Sequence, residues 1–295
     1  MMIARPFPHE NKARFENLVG FTAAAEGFRP ALIEKDYYCS LVLDHLRAPD
    51  SGLVFKGGTC LGKVHLGFFR LSEDLDFSLH LAGENRRSLR RQAVAPYKAA
   101  VNVLPQKIPG LEIVEPLTGS NESRQYIARI DYDPVHGGGR NTIAIEISLR
   151  EPLLSVPVPG FVRTLLRDPF TGDEVIPTFR VACVDFQEAM AEKFRAALTR
   201  IEPAIRDFFD IDFAVFTEKL DPDDVGFLDL VREKLSVPGT GPVDISQARQ
   251  FALEKQIQPR LRPVLREKDL QEFDLRRAFE LVRNLSFRPP PPVQP

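Results

Sequence analysis

The most informative segments of this 295-residue chain read Phe55-Lys56-Gly57-Gly58-Thr59-Cys60-Leu61-Gly62-Lys63 and, shortly after, Arg70-Leu71-Ser72-Glu73-Asp74-Leu75-Asp76-Phe77. A short β-type run, Leu53 to Phe55, leads into the glycines, and apolar residues then recur at helical spacing from Thr59 to Phe69. The second segment enters an alternating run, Leu75 to Leu81, that predicts another strand. Two unrelated kinds of phosphate-binding site are consistent with this order of strand, glycine turn, helix and acidic turn.

One interpretation is a P-loop, the glycine-rich turn that wraps around nucleotide phosphates. Gly57-x-x-x-x-Gly62-Lys63 fits its pattern and its position between a strand and a helix. The next residue, however, is Val64, where a P-loop needs a Ser or Thr hydroxyl to coordinate magnesium. A glycine turn that only lets the helix pack closely on its strand explains the same residues without a ligand. The P-loop is therefore the less favoured interpretation.

The second interpretation is a nucleotidyltransferase site built on paired carboxylates. Asp74 and Asp76 are two residues apart at the start of a strand, so both side chains point to one face, with Cα atoms about 6.5 Å apart. Divalent ions that bind a triphosphate need such convergent carboxylates. Glu146 lies on a predicted strand whose other face is isoleucine, and it is the natural third member. The pair alone has low specificity, because further Asp-x-Asp pairs occur at Asp131/Asp133, Asp210/Asp212 and Asp221/Asp223.

The glycine turn supplies the rest of the predicted site. Gly57 and Gly58 let the backbone approach phosphate, the following helix N-terminus offers unpaired N–H groups, and Thr59 adds a hydroxyl. Lys56 either contacts phosphate from its strand end or is an ordinary strand-end cation, and Ser72 either caps the acidic turn or binds phosphate. The combination of these features in one order is typical of polymerase-β-type nucleotidyltransferases.

Composition changes along the chain and predicts two lobes. Residues 1–150 combine helical patterns with the predicted strands, and prolines interrupt residues 151–184, which we interpret as a connection. Helical patterns dominate residues 185–288, and the proline-rich residues 289–295 are expected to form a disordered tail. We therefore expect an α+β fold, in which a mixed sheet flanked by helices precedes a helical C-terminal lobe.

Charge and cysteine content narrow the class of protein. The formal net charge of -2 gives no overall attraction to nucleic acid, and no apolar run approaches the roughly 20 residues of a membrane span. The three cysteines lack a C-x-x-C spacing, so the sequence predicts neither disulfides nor a zinc site, and a reducing cytoplasm is the expected location. Two basic clusters are either RNA-contact surfaces or solvated helix faces: Arg86, Arg87, Arg90 and Arg91, and Arg260, Arg262, Arg266, Lys268, Arg276 and Arg277.

In combination these motifs resemble the AbiEii/AbiGii nucleotidyltransferase toxins of type IV toxin–antitoxin systems, a group that includes the mycobacterial MenT toxins. The resemblance spans roughly residues 30 to 215. The residues that carry it are Ile33-Glu34-Lys35-Asp36-Tyr37, Phe55-Lys56-Gly57-Gly58-Thr59, Lys63, Arg70-x-Ser72-Glu73-Asp74-Leu75-Asp76-Phe77, Ala191-Glu192-Lys193 and Arg206-Asp207-x-x-Asp210. Thr59 stands where many members have Ser, which is a mild chemical change.

The resemblance implies a polymerase-β-type nucleotidyltransferase lobe, a helical lobe and an NTP lying between them. It implies Mg²⁺ or Mn²⁺ held by Asp74 and Asp76, with Glu146 completing the carboxylate set. Lys193 then binds the triphosphate and acts with Asp207. A solvated charge also explains Lys193, and an i,i+4 ion pair between Arg206 and Asp210 also explains that part of the motif.

The reaction that the resemblance implies moves a nucleotide from an NTP to RNA. MenT-type toxins add it to the acceptor end of tRNA and so stop translation, and a cognate antitoxin opposes the toxin. Nucleotidyl or phosphoryl transfer to a protein or small molecule is one alternative. A non-catalytic module that binds a nucleotide or an antitoxin is another.

Overall fold

The structure, a computed structural model, describes residues 6–47, 52–81 and 86–286. The chain divides into two compact units, Met1–Val184 and Asp185–Pro295. The tail predicted at residues 289–295 lies outside the described residues. Within the described ranges, no helix combines the length and the apolar character that crossing a bilayer requires.

The first unit contains one seven-stranded sheet with helices beside it. Its helices are α1 (Lys12–Glu26), α2 (Pro30–Leu46), α3 (Gly57–Cys60), α4 (Arg87–Asn102) and α5 (Leu104–Lys107). Its strands are β1 (Leu53–Lys56), β2 (Leu75–Leu79), β3 (Leu111–Ser120), β4 (Gln125–Tyr132), β5 (Asn141–Ser148), β6 (Val158–Val162) and β7 (Phe179–Cys183). The strand order is β3-β4-β5-β2-β1-β7-β6. The β1–β7 and β2–β5 pairs are parallel and the other pairs antiparallel, so the mixed sheet predicted from the sequence is confirmed.

The alternating pattern of β5 separates an apolar face of the sheet from a polar one. Ile143, Ile145 and Ile147 are buried, while Glu146 is only half-buried. Strand register continues the apolar face across the sheet, because Phe55 pairs with Phe77, which pairs with Ile147. Helix α2 packs against β5. The hydrophobic core therefore occupies one face of β5, β2 and β1 and leaves the opposite face for polar side chains.

The helix predicted to run from Thr59 to Phe69 ends earlier than expected. α3 continues directly into a π turn, Leu61–His65, in which Leu66 N donates to Leu61 O at 2.8 Å. Gly67 then adopts a φ of 71°, a left-handed conformation that glycine tolerates and that ends the helix. The chain consequently turns back towards β2 sooner than continuous helical periodicity predicts.

The proline-rich segment 151–184, interpreted above as a connection, contributes two strands to the sheet. β6 lies at the sheet edge, where Pro159 does not interrupt a central hydrogen-bond ladder. β7 pairs with β6 on one side and with β1 on the other, with Phe55 opposite Cys183. Prolines obscure the alternation that identifies strands, and the pairing depends on contacts distant in sequence.

The second unit is helical. Its helices are α6 (Phe186–Thr199), α7 (Ile205–Phe216), α8 (Val225–Leu235), α9 (Gln247–Glu254), α10 (Glu267–Glu272) and α11 (Leu275–Ser286). α6 packs against α7, α8 and α11. Asp185 caps α6 by accepting from Gln187 N at 2.9 Å, as its sequence position predicts. Glu188, three residues after this cap, is buried and accepts from Lys234 Nζ at 2.6 Å.

Candidate active site

Three of the predicted site residues lie side by side on neighbouring strands. The β1–β2 ladder pairs Lys56 with Asp76, and the β2–β5 ladder pairs Asp76 with Glu146. Residues paired in this way project from the same face of a sheet. All three side chains are half-buried and lie on the face opposite the apolar core. Strand register thus brings one cation and two carboxylates together.

Asp74 precedes β2 and is the more exposed member of the acidic pair. Its backbone carbonyl accepts a hydrogen bond from Thr59 Oγ1. Thr59 is 3% exposed, so this buried bond ties the glycine turn to the acidic turn. In this structure the Thr59 hydroxyl positions the two turns against each other, and its contact with phosphate stays a prediction.

Gly57 lies directly against the carboxylate of Asp76. A Cβ placed on Gly57 would approach Asp76 Oδ2 to 2.2 Å, and the residue has a φ of 76°. A larger residue at position 57 would collide with Asp76 and would be strained by the left-handed backbone, so the structure would have to shift to accept it. The glycine is therefore required because the acidic strand passes so close to the turn.

Gly58 has a different neighbour, the guanidinium of Arg70. A Cβ at Gly58 would lie 2.6 Å from Arg70 Nη2 and 3.0 Å from Ser72 Oγ. Arg70 is 2% exposed, and its guanidinium carbon lies 5.6 Å from the ring centroid of Phe69. A planar guanidinium and a hydroxyl at a glycine turn are the donors that phosphate oxygens prefer. The structure thus adds Arg70 to the predicted phosphate-binding turn.

The third carboxylate, Glu146, is directed by a residue that the sequence did not single out. Gln125, on β4, donates from Nε2 to Glu146 Oε1 at 2.8 Å, and Arg150 donates to Gln125 Oε1. This bond draws Glu146 towards β4, whereas Asp76 lies beside Gly57. Among the described residues, the candidate metal ligands whose atoms all lie within 4.8 Å of one another are Cys60, His65 and Cys183. Asp74, Asp76 and Glu146 do not form such a group in this structure. Asp74 and Asp76 have the oxygen ligands and the exposure that a divalent cation needs.

The lysine of the P-loop interpretation is part of a buried structural network. Lys63 Nζ donates to Asp36 Oδ1 at 2.6 Å and to Ser40 Oγ at 2.7 Å, and it is 4% exposed. The other oxygen of Asp36 accepts from Leu165 N at 3.0 Å and from Thr164 Oγ1 at 3.2 Å. An amine held in this way joins α2 to the helix after β1, and the P-loop interpretation loses its phosphate ligand.

The Ile33-Glu34-Lys35-Asp36-Tyr37 motif acts mainly through structure. Glu34 is fully buried and accepts from Val135 N at 2.8 Å and His136 N at 3.2 Å. Burial raises the pKa of Glu34 above its ordinary value. Lys35 pairs with Glu73 at 3.4 Å, which fixes the start of the acidic turn. The motif therefore contributes to the candidate site through packing and through the ion pair that holds the acidic turn.

Lys193 and Asp207, in the second unit, form a compact ion pair. Lys193 Nζ lies 2.8 Å from Asp207 Oδ1 and 2.9 Å from Asp210 Oδ2, and both carboxylates are nearly fully buried. The break between α6 and α7 allows this contact, since a continuous helix would place the residues about 21 Å apart. Arg200 also lies 3.2 Å from Asp207 Oδ2. Both candidate acids thus hold the predicted triphosphate lysine.

Comparison with protein families identifies the group to which these motifs belong. The family model of the AbiEii nucleotidyl transferase toxin of type IV toxin–antitoxin systems matches residues 42–283. The chain belongs to this family. The resemblance inferred from the motifs is therefore confirmed. Membership in the AbiEii family implies a nucleotidyltransferase toxin and an antitoxin as its partner.

Solved structures resemble the AbiEii-family chain in fold. The crystal structure of JHP933 from Helicobacter pylori is 16% identical, has a TM-score of 0.51, and the match covers 88% of this chain and 91% of that one. A putative nucleotidyltransferase from H. pylori is 17% identical with a TM-score of 0.45, covering 87% and 89%. At such identities the first likeness concerns the fold alone. None of the curated proteins compared with the chain matches it.

Each of the two basic clusters of the AbiEii-family chain combines exposed cations with cations that are buried or paired with acids. Arg86, Arg87 and Arg91 are exposed, whereas Arg90 is 4% exposed and donates from Nη2 to Glu122 O at 2.7 Å. In the second cluster, several guanidinium groups contact acids: Arg262 with Glu267, Arg266 with Asp269, Arg276 with Glu280 and Arg277 with Asp212. Both clusters keep exposed cations, Arg86, Arg87 and Arg91 in the first and Arg260, Arg262, Lys268 and Arg276 in the second, so contact of either cluster with RNA stays a prediction.

Proposed function

We propose that this AbiEii-family chain is a Mg²⁺-dependent nucleotidyltransferase that moves a nucleotide from an NTP to the acceptor end of tRNA, blocks translation, and is opposed by a cognate antitoxin. The observation that carries the proposal is the packing of the acidic turn against the glycine turn, with Asp76 beside Gly57 and Arg70 beside Gly58. Nucleotidyl transfer needs carboxylates for a metal ion and donors for phosphate oxygens in one place.

Asp74 and Asp76 are the proposed ligands of Mg²⁺ or Mn²⁺. Carboxylate oxygens are the ligands that these ions prefer. When bound, the ion neutralises negative charge on the triphosphate and on the pyrophosphate that leaves. The half-buried position of Asp76 on β2 and the exposed position of Asp74 directly before that strand support this assignment.

The glycine turn binds the phosphates of the NTP in this proposal. The peptide N–H groups of Gly57 and Gly58, at the start of α3, are the proposed donors to the phosphate oxygens. Arg70 contributes a guanidinium whose orientation is fixed by burial, and Lys56 and Ser72 add further donors. Lys193, held by Asp207, adds a compact positive charge for the triphosphate.

Glu146 is the proposed acceptor of the proton from the attacking hydroxyl. As the hydroxyl oxygen bonds to the α-phosphorus and the bond to pyrophosphate breaks, the proton moves to the Glu146 carboxylate. The bond from Gln125 fixes one oxygen of this carboxylate at 2.8 Å. Glu146 lies on the strand next to Asp76 but is held by Gln125, so its carboxylate is available to accept a proton in this proposal.

Transfer of label from each α-labelled NTP to total tRNA tests the proposal. Wild type should label tRNA in the presence of Mg²⁺, and Asp74→Ala should reduce labelling about 100-fold or more, since a metal ion contributes several kcal/mol to such a reaction. Asp133→Ala is the matched control, because Asp133 is an exposed acid of another Asp-x-Asp pair. Equal labelling by wild type and Asp74→Ala contradicts the catalytic assignment. Labelling of protein or a small molecule but not of tRNA contradicts the acceptor.

Growth arrest on expression provides an independent measurement. If toxicity arises from nucleotidyl transfer, cells expressing Asp74→Ala should grow and cells expressing Asp133→Ala should arrest. Arrest by all three proteins at equal abundance would show that toxicity does not depend on the acidic pair.

A further inference from the structure

A cluster of two thiols and an imidazole lies in the first unit, and the proposed reaction does not use it. The ligand atoms of Cys60, His65 and Cys183 all lie within 4.8 Å of one another. Cys60 and Cys183 are fully buried thiols, and His65 is half-buried. Cys183 Sγ lies 4.0 Å from His65 Nε2. This is the group of ligand atoms that, among the described residues, could enclose a metal ion.

The π turn after α3 brings Cys60 and His65 to one side. In a regular α-helix, residues five apart are rotated by about 140° from each other, because the helix has 3.6 residues per turn. The Leu61–His65 turn has i→i+5 bonding instead, which carries His65 back over Cys60. Such single π turns are frequent at functional sites.

The sheet supplies the third ligand. Cys183 ends β7, which runs parallel to β1 and pairs with it at Phe55, five residues before Cys60. Gly160 on β6 leaves the space that the thiol fills, since a Cβ there would lie 2.7 Å from Cys183 Sγ. Residues more than a hundred positions apart thus meet through sheet pairing, and neither the cysteine nor the histidine spacing indicates this.

The chemistry of the cluster favours a thiophilic divalent cation. Two thiolates and one neutral imidazole are a common ligand set for zinc and balance its charge, so a buried complex carries no net charge. An ideal tetrahedral site separates its sulfur and nitrogen atoms by about 3.5–3.8 Å, which lies within about 1 Å of the observed separations.

We propose that Cys60, His65 and Cys183 form a binding site for a zinc-class divalent cation. Binding releases the two thiol protons to solvent, and both thiolates and the imidazole bind the ion. In this structure His65 Nε2 lies 3.0 Å from Val184 O and donates its proton to that carbonyl. Binding of the ion breaks this hydrogen bond: the ring proton moves to Nδ1, and the Nε2 lone pair binds the ion. Water completes the coordination on the partly exposed side of His65.

The bound cation would fasten the glycine turn to the sheet. Cys60 directly follows Thr59, and Cys183 belongs to a strand beside β1, so the ion links the helix that starts at Gly57 to β7. This role concerns stability, and it requires neither NTP nor an RNA acceptor. The metal-site proposal can therefore be tested independently of the proposed transferase activity.

Cobalt(II) titration of the chelator-treated full chain tests the site. We expect one ion per chain, with visible bands of tetrahedral cobalt and a sulfur-to-cobalt charge-transfer band, and we expect Zn²⁺ to displace the cobalt. Zn²⁺ should also raise the Tm of the wild type. Cys60→Ser and Cys183→Ser should each weaken metal binding at least tenfold. Substitution of residues that only support the ligands already lowers metal affinity about 10- to 100-fold, and loss of a ligand should cost at least as much.

Cys39→Ser is the matched control, because Cys39 is also fully buried and lies outside the cluster. It should keep both the charge-transfer band and the rise in Tm with Zn²⁺. His65→Ala, at a half-buried position, provides a variant that is expected to fold, and it should bind at least tenfold more weakly with an unchanged circular dichroism spectrum. Absence of the sulfur band in wild type, its equal loss in Cys39→Ser, or a Cys60–Cys183 disulfide in the purified protein would overturn the proposal.

Discussion

Asp76 and Gly57 are in direct contact, and this contact joins the two halves of the candidate site. The carboxylate of Asp76 occupies the space where a Cβ of residue 57 would lie, at 2.2 Å from Oδ2. Since Asp76 also pairs with Glu146 across β2 and β5, the glycine turn, the acidic pair and the third carboxylate are placed by one region of the sheet. The site therefore depends on the absence of a side chain at residue 57.

Gly57→Ala should destabilise the protein and displace Asp76. The left-handed φ costs about 1 kcal/mol for alanine, and the clash with Asp76 should add about 1–3 kcal/mol. Gly172→Ala is the control, because Gly172 has a similar φ of 74° but a Cβ added there would meet nothing within 4 Å. Urea unfolding of both variants separates backbone strain from the clash. Equal losses of unfolding free energy would contradict the close contact.

Lys63→Met should affect stability much more than a change to a surface cation. It leaves the carboxylate of Asp36 buried without its amine, and breaking such a pair typically costs about 3–5 kcal/mol. Arg140→Met, in the exposed pair with Glu112, should leave the unfolding free energy nearly unchanged, because solvent screens an exposed ion pair. Urea unfolding gives both values.

The same variant tests the P-loop interpretation. If Lys63 bound phosphate, Lys63→Met would keep its stability and lose its affinity for NTP. Equilibrium binding of NTP, measured where the variant is folded, distinguishes the two outcomes.

Local sequence signals predicted the elements that carry the site, because those signals are short-range. The alternation of β5 identified the face of Glu146, and the alternating run from Leu75 identified β2, which contains Asp76 and begins directly after Asp74. The family resemblance and the mixed sheet are likewise confirmed. Roles of individual site residues stay predictions, since they depend on ligands and on reaction chemistry.

The features that the sequence did not reveal depend on long-range packing. Gln125 contacts Glu146 only because β4 and β5 are neighbours, and Cys183 reaches Cys60 only because β7 pairs with β1. The π turn before His65 has no distinctive residue pattern, so helical periodicity predicted a longer regular helix. Pairing partners and local helix type are set by the folded environment, not by spacing in the chain.

His9 should make the stability of the first unit depend on pH. Its Nε2 lies 2.7 Å from Pro109 O and its Nδ1 lies 2.7 Å from Tyr37 Oη, an arrangement in which a neutral ring donates to the carbonyl and accepts from the hydroxyl. Burial lowers the pKa of His9 below 6.5, although the bond to Pro109 opposes this effect. The native state therefore favours the neutral ring.

The stability contributed by His9 is complete above pH 6.5 and is lost as pH falls through the lowered pKa of the folded state. Urea unfolding of wild type and His9→Gln between about pH 5 and 8 should show a difference in unfolding free energy that shrinks towards acid. A difference that stays constant, or that grows as pH falls, would contradict the buried neutral imidazole.

Lys193→Met and Lys234→Met should separate binding of the triphosphate from structural pairing. Both lysines contact two carboxylates: Lys193 lies 2.8 Å from Asp207 and 2.9 Å from Asp210, and Lys234 lies 2.6 Å from Glu188 and 3.1 Å from Glu192. Both substitutions remove a cation from a buried group of acids and should lower the unfolding free energy, with Lys234→Met costing about 3–5 kcal/mol.

Only Lys193→Met should impair nucleotide transfer by the folded protein. A loss of at least about tenfold in kcat/KM corresponds to about 1.4 kcal/mol of transition-state stabilisation, a modest value for a cation that contacts phosphate. Transfer is measured at a temperature where circular dichroism shows both variants folded, so that stability does not enter the comparison. If the two variants lose transfer equally, or neither does, Lys193 is a structural lysine like Lys234 and the triphosphate must be held by other residues.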